Sequence, residues 1–162
     1  MQTTKRGLGR DKTLHIFRST MVLPCAIRDV FQFFSDAANL ERITPPELRF
    51  RIITPLPITV GEGTMIDYKL RLYGIPFQWT ARIHTWEPPF GFVDTQVEGP
   101  YRLWVHTHRF FEEAKGTRVT DEVLYGLSLW PLGEALFPLI YFLLAKIFRY
   151  RKQAIRHILI GE

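Results

Sequence analysis

Two histidines, His106 and His108, and an aspartate in the segment that follows them, Asp121, combine residue types that can move a proton or hold a polar ligand. Imidazole titrates near neutral pH, and a carboxylate beside it can fix its tautomer. Their setting gives the trio its interest. Residues 101–111 read Tyr-Arg-Leu-Trp-Val-His-Thr-His-Arg-Phe-Phe and residues 117–127 read Thr-Arg-Val-Thr-Asp-Glu-Val-Leu-Tyr-Gly-Leu, with a polar stretch ending in Gly116 between them. This alternation and the glycine predict an antiparallel hairpin. If Glu112 faces Thr117, then Phe110 faces Val119, His108 faces Asp121, His106 faces Val123 and Trp104 faces Tyr125. Thr107, Arg109, Arg118, Thr120 and Glu122 fill the opposite face, as solvent would select. The inner face then holds His106, His108 and Asp121 among Trp104, Phe110, Val119, Val123 and Tyr125. A buried polar group without a partner costs roughly 1–3 kcal/mol. These three must satisfy one another or line a cavity.

Three arrangements are open at this point. Asp121 can orient His108 in a purely structural network. The pair can meet a ligand hydroxyl or carbonyl, with His108 as a base and Asp121 fixing its tautomer. Two imidazoles and an acid can also hold a metal ion, but no further partner for such a site is visible in the sequence, and neither a metal nor another cofactor is expected.

The elements that position these residues follow from the rest of the chain. Residues 13–23 alternate as a first strand, with Leu14, Ile16 and Val22 on one side. After Pro24, residues 26–35 repeat apolar side chains at helical spacing, with Ile27, Val30, Phe31 and Phe34 on one stripe. A second short helix, 37–43, must stop at Pro45-Pro46. Residues 47–54, 63–73, 76–87, 90–98, 101–112 and 117–129 all read as strands separated by short turns, an antiparallel meander. Residues 133–160 return to helical spacing as one long amphipathic helix. The expected fold is α+β: a curved antiparallel sheet of about six to seven strands wrapped around a long C-terminal helix, with two short helices after the first strand. Residues 13–160 form one domain behind a flexible segment 1–12. Between sheet and helix lies a hollow. Tyr68 and Trp79 should wall it, with Lys69 and Arg71 turned outward, and Phe137, Tyr141, Leu144 and Phe148 should face it from the helix. Asp94 and Gln96 join the inner face if the Gly99-Pro100 turn sets that register; a slip of one residue sends them to solvent.

This order of elements, together with Pro24, Val30-Phe31, Asn39-Leu40 through Thr44-Pro45-Pro46, Trp79 with Ile83 and Trp86-Glu87-Pro88-Pro89, resembles the START-related superfamily of helix-grip proteins, SRPBCC. The similarity continues through Phe92-Val93-Asp94-x-Gln96-x-x-Gly99-Pro100, Trp104-x-His106-x-His108-x-Phe110 and Asp121-x-Val123-x-Tyr125. Within that superfamily the chain is most similar to bacterial polyketide cyclase/dehydrase-type ligand-binding domains, over about residues 13–160. The resemblance implies a helix-grip (START/Bet v 1-like) fold, favours the inner placement of Asp94 and Gln96, and implies binding of a lipid, polyketide or other apolar molecule. A shared fold does not choose between binding and catalysis.

Composition narrows the remaining classes. Of 162 residues, 14% are aromatic, including 13 Phe and 4 Trp, enough to wall a pocket as well as fill a core. The net charge of +5 comes from scattered basic residues with local groups only near the two ends, so nucleic acid is not an expected partner. Cys25 is the sole cysteine, which excludes an internal disulfide and suits a reducing, cytoplasmic setting. No apolar region of signal-peptide type follows the first basic residues. The run from Ala135 to Ala145 is too short to span a bilayer, which needs about 20 residues, so stable insertion is not expected while peripheral contact is allowed. The expected partner is a hydrophobic small molecule, bound by a monomer or dimer, with directional contacts from His106, His108, Asp121 and Tyr125. An aromatic cyclase/dehydratase using His108 as acid/base is the alternative, and a protein- or membrane-interaction module using the basic C-terminal helix is a third.

Overall fold

Alternation gives each strand one apolar face, and the apolar faces of seven strands are joined into a single sheet in the computed structural model, which describes residues 13–72, 74–128 and 132–161. The segment 1–12 lies outside the described residues, as do Tyr73 and Leu129 at the ends of two expected strands. The strands are β1 (His15–Leu23), β2 (Arg51–Ile52), β3 (Met65–Leu72), β4 (Ile75–Glu87), β5 (Gly91–Glu98), β6 (Leu103–Glu113) and β7 (Gly116–Gly126). All pairings are antiparallel, in the order β1-β7-β6-β5-β4-β3-β2. Helices α1 (Ile27–Ser35) and α2 (Asn39–Arg42), followed by a single 3₁₀ turn at Pro46–Leu48, carry the chain from one edge strand to the other. A short α3 (Leu132–Ala135) leads into α4 (Phe137–Ile160).

The β6–β7 register is the one read from the alternation: Phe110 opposes Val119, His108 opposes Asp121, His106 opposes Val123 and Trp104 opposes Tyr125. Gly116 makes the turn possible. Its φ is +128°, and a Cβ there would collide with the carbonyl of Leu23 on the neighbouring β1. Register shifts in β4, at Thr80/Ala81 and Ile83/Thr85, are bulges of the kind that bend a sheet.

On two faces burial adds what the spacing left open. In β1 the core side is Phe17, Ser19, Met21 and Leu23, while Leu14, Ile16 and Val22 point to solvent. β1 has apolar residues on both faces, so periodicity alone does not choose between them. In α1 it is Phe33 that is buried with Ile27, Val30 and Phe31, and Phe34 is half-buried at the edge of that cluster. Helix α4 begins with Pro138 in its first turn, where no backbone N–H is needed, and ends at Gly161 in the left-handed region (φ +72°), whose N–H bonds the carbonyl of His157.

The core falls into three parts around the concave face. One gathers Phe31, Phe92, Phe110, Val119 and Ile155 under α1. A second joins Phe17, Val123 and Tyr125 to Leu144 and Phe148 of α4. A third holds Leu70, Trp79 and Ala81 on the far strands, with Tyr68, Tyr101 and Trp104 against them. The site lies where these three parts leave space.

Candidate ligand-binding site

Strand period 2 places His106 and His108 on the same face of β6, with ring centroids 3.8 Å apart. Asp121 arrives from β7, opposite His108, and Asp94 from β5, opposite His106. The result is a closed ring of alternating imidazoles and carboxylates. His106 Nε2 donates to Asp121 Oδ1 at 3.1 Å, and its Nδ1 lies 3.7 Å from Asp94 Oδ2. His108 Nε2 donates to Asp94 Oδ2 at 3.2 Å, while its Nδ1 lies 2.9 Å from Asp121 Oδ1 without hydrogen-bond alignment. Both histidines and Asp121 are buried, and Asp94 is half-buried. Phe92 stacks on His108 with centroids 4.2 Å apart, and Phe148 of α4 meets His106 edge-on.

Burial opposes charge on every member, so the charges that survive are the ones with partners. At His108 burial pulls the imidazole down, but the contacts with Asp121 and Asp94 outweigh it and raise its pKa to about 9. His106 moves the other way, lowered by burial and then by the charge of His108, although Asp121 and Asp94 oppose the change. For Asp121 burial raises the carboxyl and the close contacts with the two histidines overcome that, holding it well below the usual range. Asp94 is lowered on the same balance, with His108 the main partner. At neutral pH the ring is two carboxylates, one imidazolium and one neutral imidazole.

The ring forms one wall of a cavity of about 170 Å³ between sheet and α4. Of the side chains expected around it, Tyr68, Trp79, Asp94, Trp104, His106, His108, Asp121, Leu144 and Phe148 do line it. The others do not. Gln96 turns its amide to the backbone of Tyr101, accepting from its N–H and donating to its carbonyl, and so latches the β5–β6 turn. Phe110, Val123 and Tyr125 are almost wholly enclosed, packed into the core below the cavity rather than facing it. Phe137 stacks on His15 and Tyr141 meets Phe17, both at the end of α4 that extends past the cavity along β1.

With Ser19, Asp36, Asn39 and Lys152, Arg151 is one of several lining residues that the sequence did not single out for the cavity. It follows Phe148 on the buried stripe of α4, its guanidinium lies 5.5 Å from that ring's centroid, and its Nε is buried with no hydrogen-bond partner. Trp79 Nε1 is a second buried donor without a partner. Tyr68, stacked on Trp79, has its phenol pushed well up by burial, with Asp94 adding to the shift and Arg151 opposing it. Helical spacing was the available signal for Arg151, since residues 144, 148, 151 and 155 share one face.

No protein-family model and no curated protein matches this sequence. Solved structures do match the fold. The protein TTHA0849 from Thermus thermophilus superposes with a TM-score of 0.72 at 18% identity, over 88% of this chain and 95% of that one. Ara h 8.0201 gives a TM-score of 0.60 at 14% identity, over 88% and 99% of the two chains. A Thalictrum flavum norcoclaurine synthase point mutant in complex with a transition-state analogue gives 0.66 at 14% identity, over 92% and 99%. The architecture is the Bet v 1-like helix-grip fold. Among the described residues no helix is long and apolar enough to cross a membrane.

Proposed function

We propose that the protein encloses a hydrophobic small molecule, a lipid, polyketide or other ring-containing compound, that carries a hydrogen-bond acceptor. One observation supports this above the rest. Away from the ring the cavity walls are mostly aromatic and aliphatic, yet two buried donors there, Trp79 Nε1 and Arg151 Nε, have no acceptor within the described protein. An unpaired buried donor costs roughly 1–3 kcal/mol, and a bound carbonyl, hydroxyl or carboxylate would relieve that cost. Native mass spectrometry of the purified chain beside its denatured mass is the direct test, with identification of any molecule released. A reproducible apolar passenger supports the reading. A clean apo mass, with no thermal shift across a panel of lipids and polyketide-like compounds, overturns it.

A catalytic reading of the cyclase/dehydratase type draws on a different observation, the four ionisable side chains gathered on one wall of a mostly apolar cavity. His108→Gln separates the two. A binding protein keeps its ligand with altered affinity, whereas an enzyme that uses this group keeps the ligand and loses turnover.

A further inference from the structure

We propose that Asp94, His106 and His108 bind a first-row divalent transition-metal cation, with Asp121 orienting both imidazoles behind them. The site is independent of which apolar molecule fills the cavity.

The three residues offer one ligand atom each, all within 4.8 Å of one another. Asp94 Oδ2 lies 3.2 Å from His108 Nε2 and 3.7 Å from His106 Nδ1. Around a cation with bonds of about 2.0–2.2 Å, neighbouring ligand atoms stand about 3.0–3.6 Å apart, so small side-chain adjustments, with release of the His108 Nε2 proton to solvent, close the sphere. Two imidazoles and one carboxylate on one side of an ion, with the other positions open, form a recognised donor set for iron, zinc or cobalt. Magnesium and calcium prefer all-oxygen cages, which two nitrogens disfavour.

The far side of the rings supplies what the sequence does not show. His106 Nε2 and His108 Nδ1, the nitrogens turned away from Asp94, lie 3.1 and 2.9 Å from Asp121 Oδ1. A ligating histidine normally donates its second N–H to a carboxylate, which fixes the ring and sharpens its ligating nitrogen. Here one carboxylate stands behind both rings, hydrogen-bonded to His106 and within 2.9 Å of His108 Nδ1, which a small turn of the ring would align. The hydrogen bonding of the protein alone is incomplete in the same place. Once His106 Nε2 has donated to Asp121, its Nδ1 faces an Asp94 oxygen across 3.7 Å, too far for a hydrogen bond. In the neutral imidazole that is a lone pair opposite a carboxylate, an arrangement that a cation between them would complete. The ligands also stand on adjacent strands, with Asp94 paired to His106 and His108 paired to Asp121, so the spacing is set by the sheet rather than by a loop.

The test is a titration of the full chain, stripped with chelator, with Co(II) followed by visible absorption and with Zn(II) followed by calorimetry. One equivalent should saturate the protein. Asp94→Asn and His106→Ala should abolish the Co(II) bands, and Asp121→Asn should keep the stoichiometry while weakening affinity roughly 10–100-fold, the usual range for an orienting partner. A His84→Gln/His157→Gln double variant should bind as wild type does. In wild-type protein, the His106 and His108 ring resonances should shift on adding Zn(II), a readout that needs no variant to fold. Absence of saturable binding, unmoved ring resonances, or a folded Asp94→Asn chain that still binds one equivalent would each overturn the proposal.

Discussion

The β6–β7 hairpin carries acids and bases on both faces, at similar separations, and the two faces differ chiefly in their access to water. Outside, Arg109 pairs with Glu87 at 2.9 Å and Arg18 of β1 with Glu122 at 2.7 Å, with about half of each Arg109 and Glu87 side chain in water. Inside, the Asp94, His106, Asp121 and His108 ring spans similar distances with its histidine side chains 6% and 8% exposed. Water decides the worth of each pair. Exposed ion pairs contribute about 0–1 kcal/mol, whereas removing one member of a buried set strands its partner's charge.

The largest expected effect is therefore Asp121→Ala, which leaves the His108 cation with Asp94 alone and removes the acceptor of His106. A loss of about 3–5 kcal/mol in urea unfolding is expected, and a loss below about 1 kcal/mol would mean that the ring behaves like the outer pairs. Replacing all four ring residues by leucine should go the other way, leaving stability unchanged or raised by up to about 4 kcal/mol. The same variant should lose the ring's contribution to binding, which unfolding and binding assays together would show.

The pH dependence is next. In chelator-treated protein His108 is raised from its usual 6.5 to about 9. Its stabilising charge is fully present below about pH 6.5, the value in the unfolded reference, and is lost as pH rises towards about 9. His108→Gln should flatten that alkaline slope in thermal melts, and an unchanged slope would contradict the assignment. Asp121 and Asp94 act at the acid end, because carboxylates held low contribute above their usual 3.8 and lose that contribution as pH falls through the folded values. Smaller still is Trp79→Phe, which keeps the ring and deletes the donor. Ligand affinity should fall roughly 5- to 150-fold, in line with one buried hydrogen bond of about 1–3 kcal/mol, while stability holds or rises. Arg109→Ala should be the mildest, within about 1 kcal/mol and fading with added salt.

Much of the inner face was legible because strand period 2 and a glycine turn fix a hairpin register from local residues alone, and His106, His108 and Asp121 follow from that register. Asp94 depended on how β5 leaves its own turn, and no alternation pattern settles a register by itself. Arg151 was hidden by its charge. Its spacing puts it among Leu144, Phe148 and Ile155, yet basic residues on an amphipathic helix normally mark the wet side. Phe137 and Tyr141 show the reverse error, since they keep the helical stripe but sit beyond the cavity, where only the length of β1 and the tilt of α4 decide what they touch.

The ring also has a place in the order of assembly. His106 and Asp121 are 15 residues apart in a single hairpin, while the tie between Arg156 of α4 and Val22 of β1 spans 134. Closing the short loop has the lower entropic barrier, so three of the four members can meet while their surroundings are still wet. Docking of α4 is then the step that removes water from them. Anything that lifts this helix, even briefly, returns the charges to solvent, which would make undocking of α4 cheaper than an apolar floor would allow and would give the proposed ligand a way in and out.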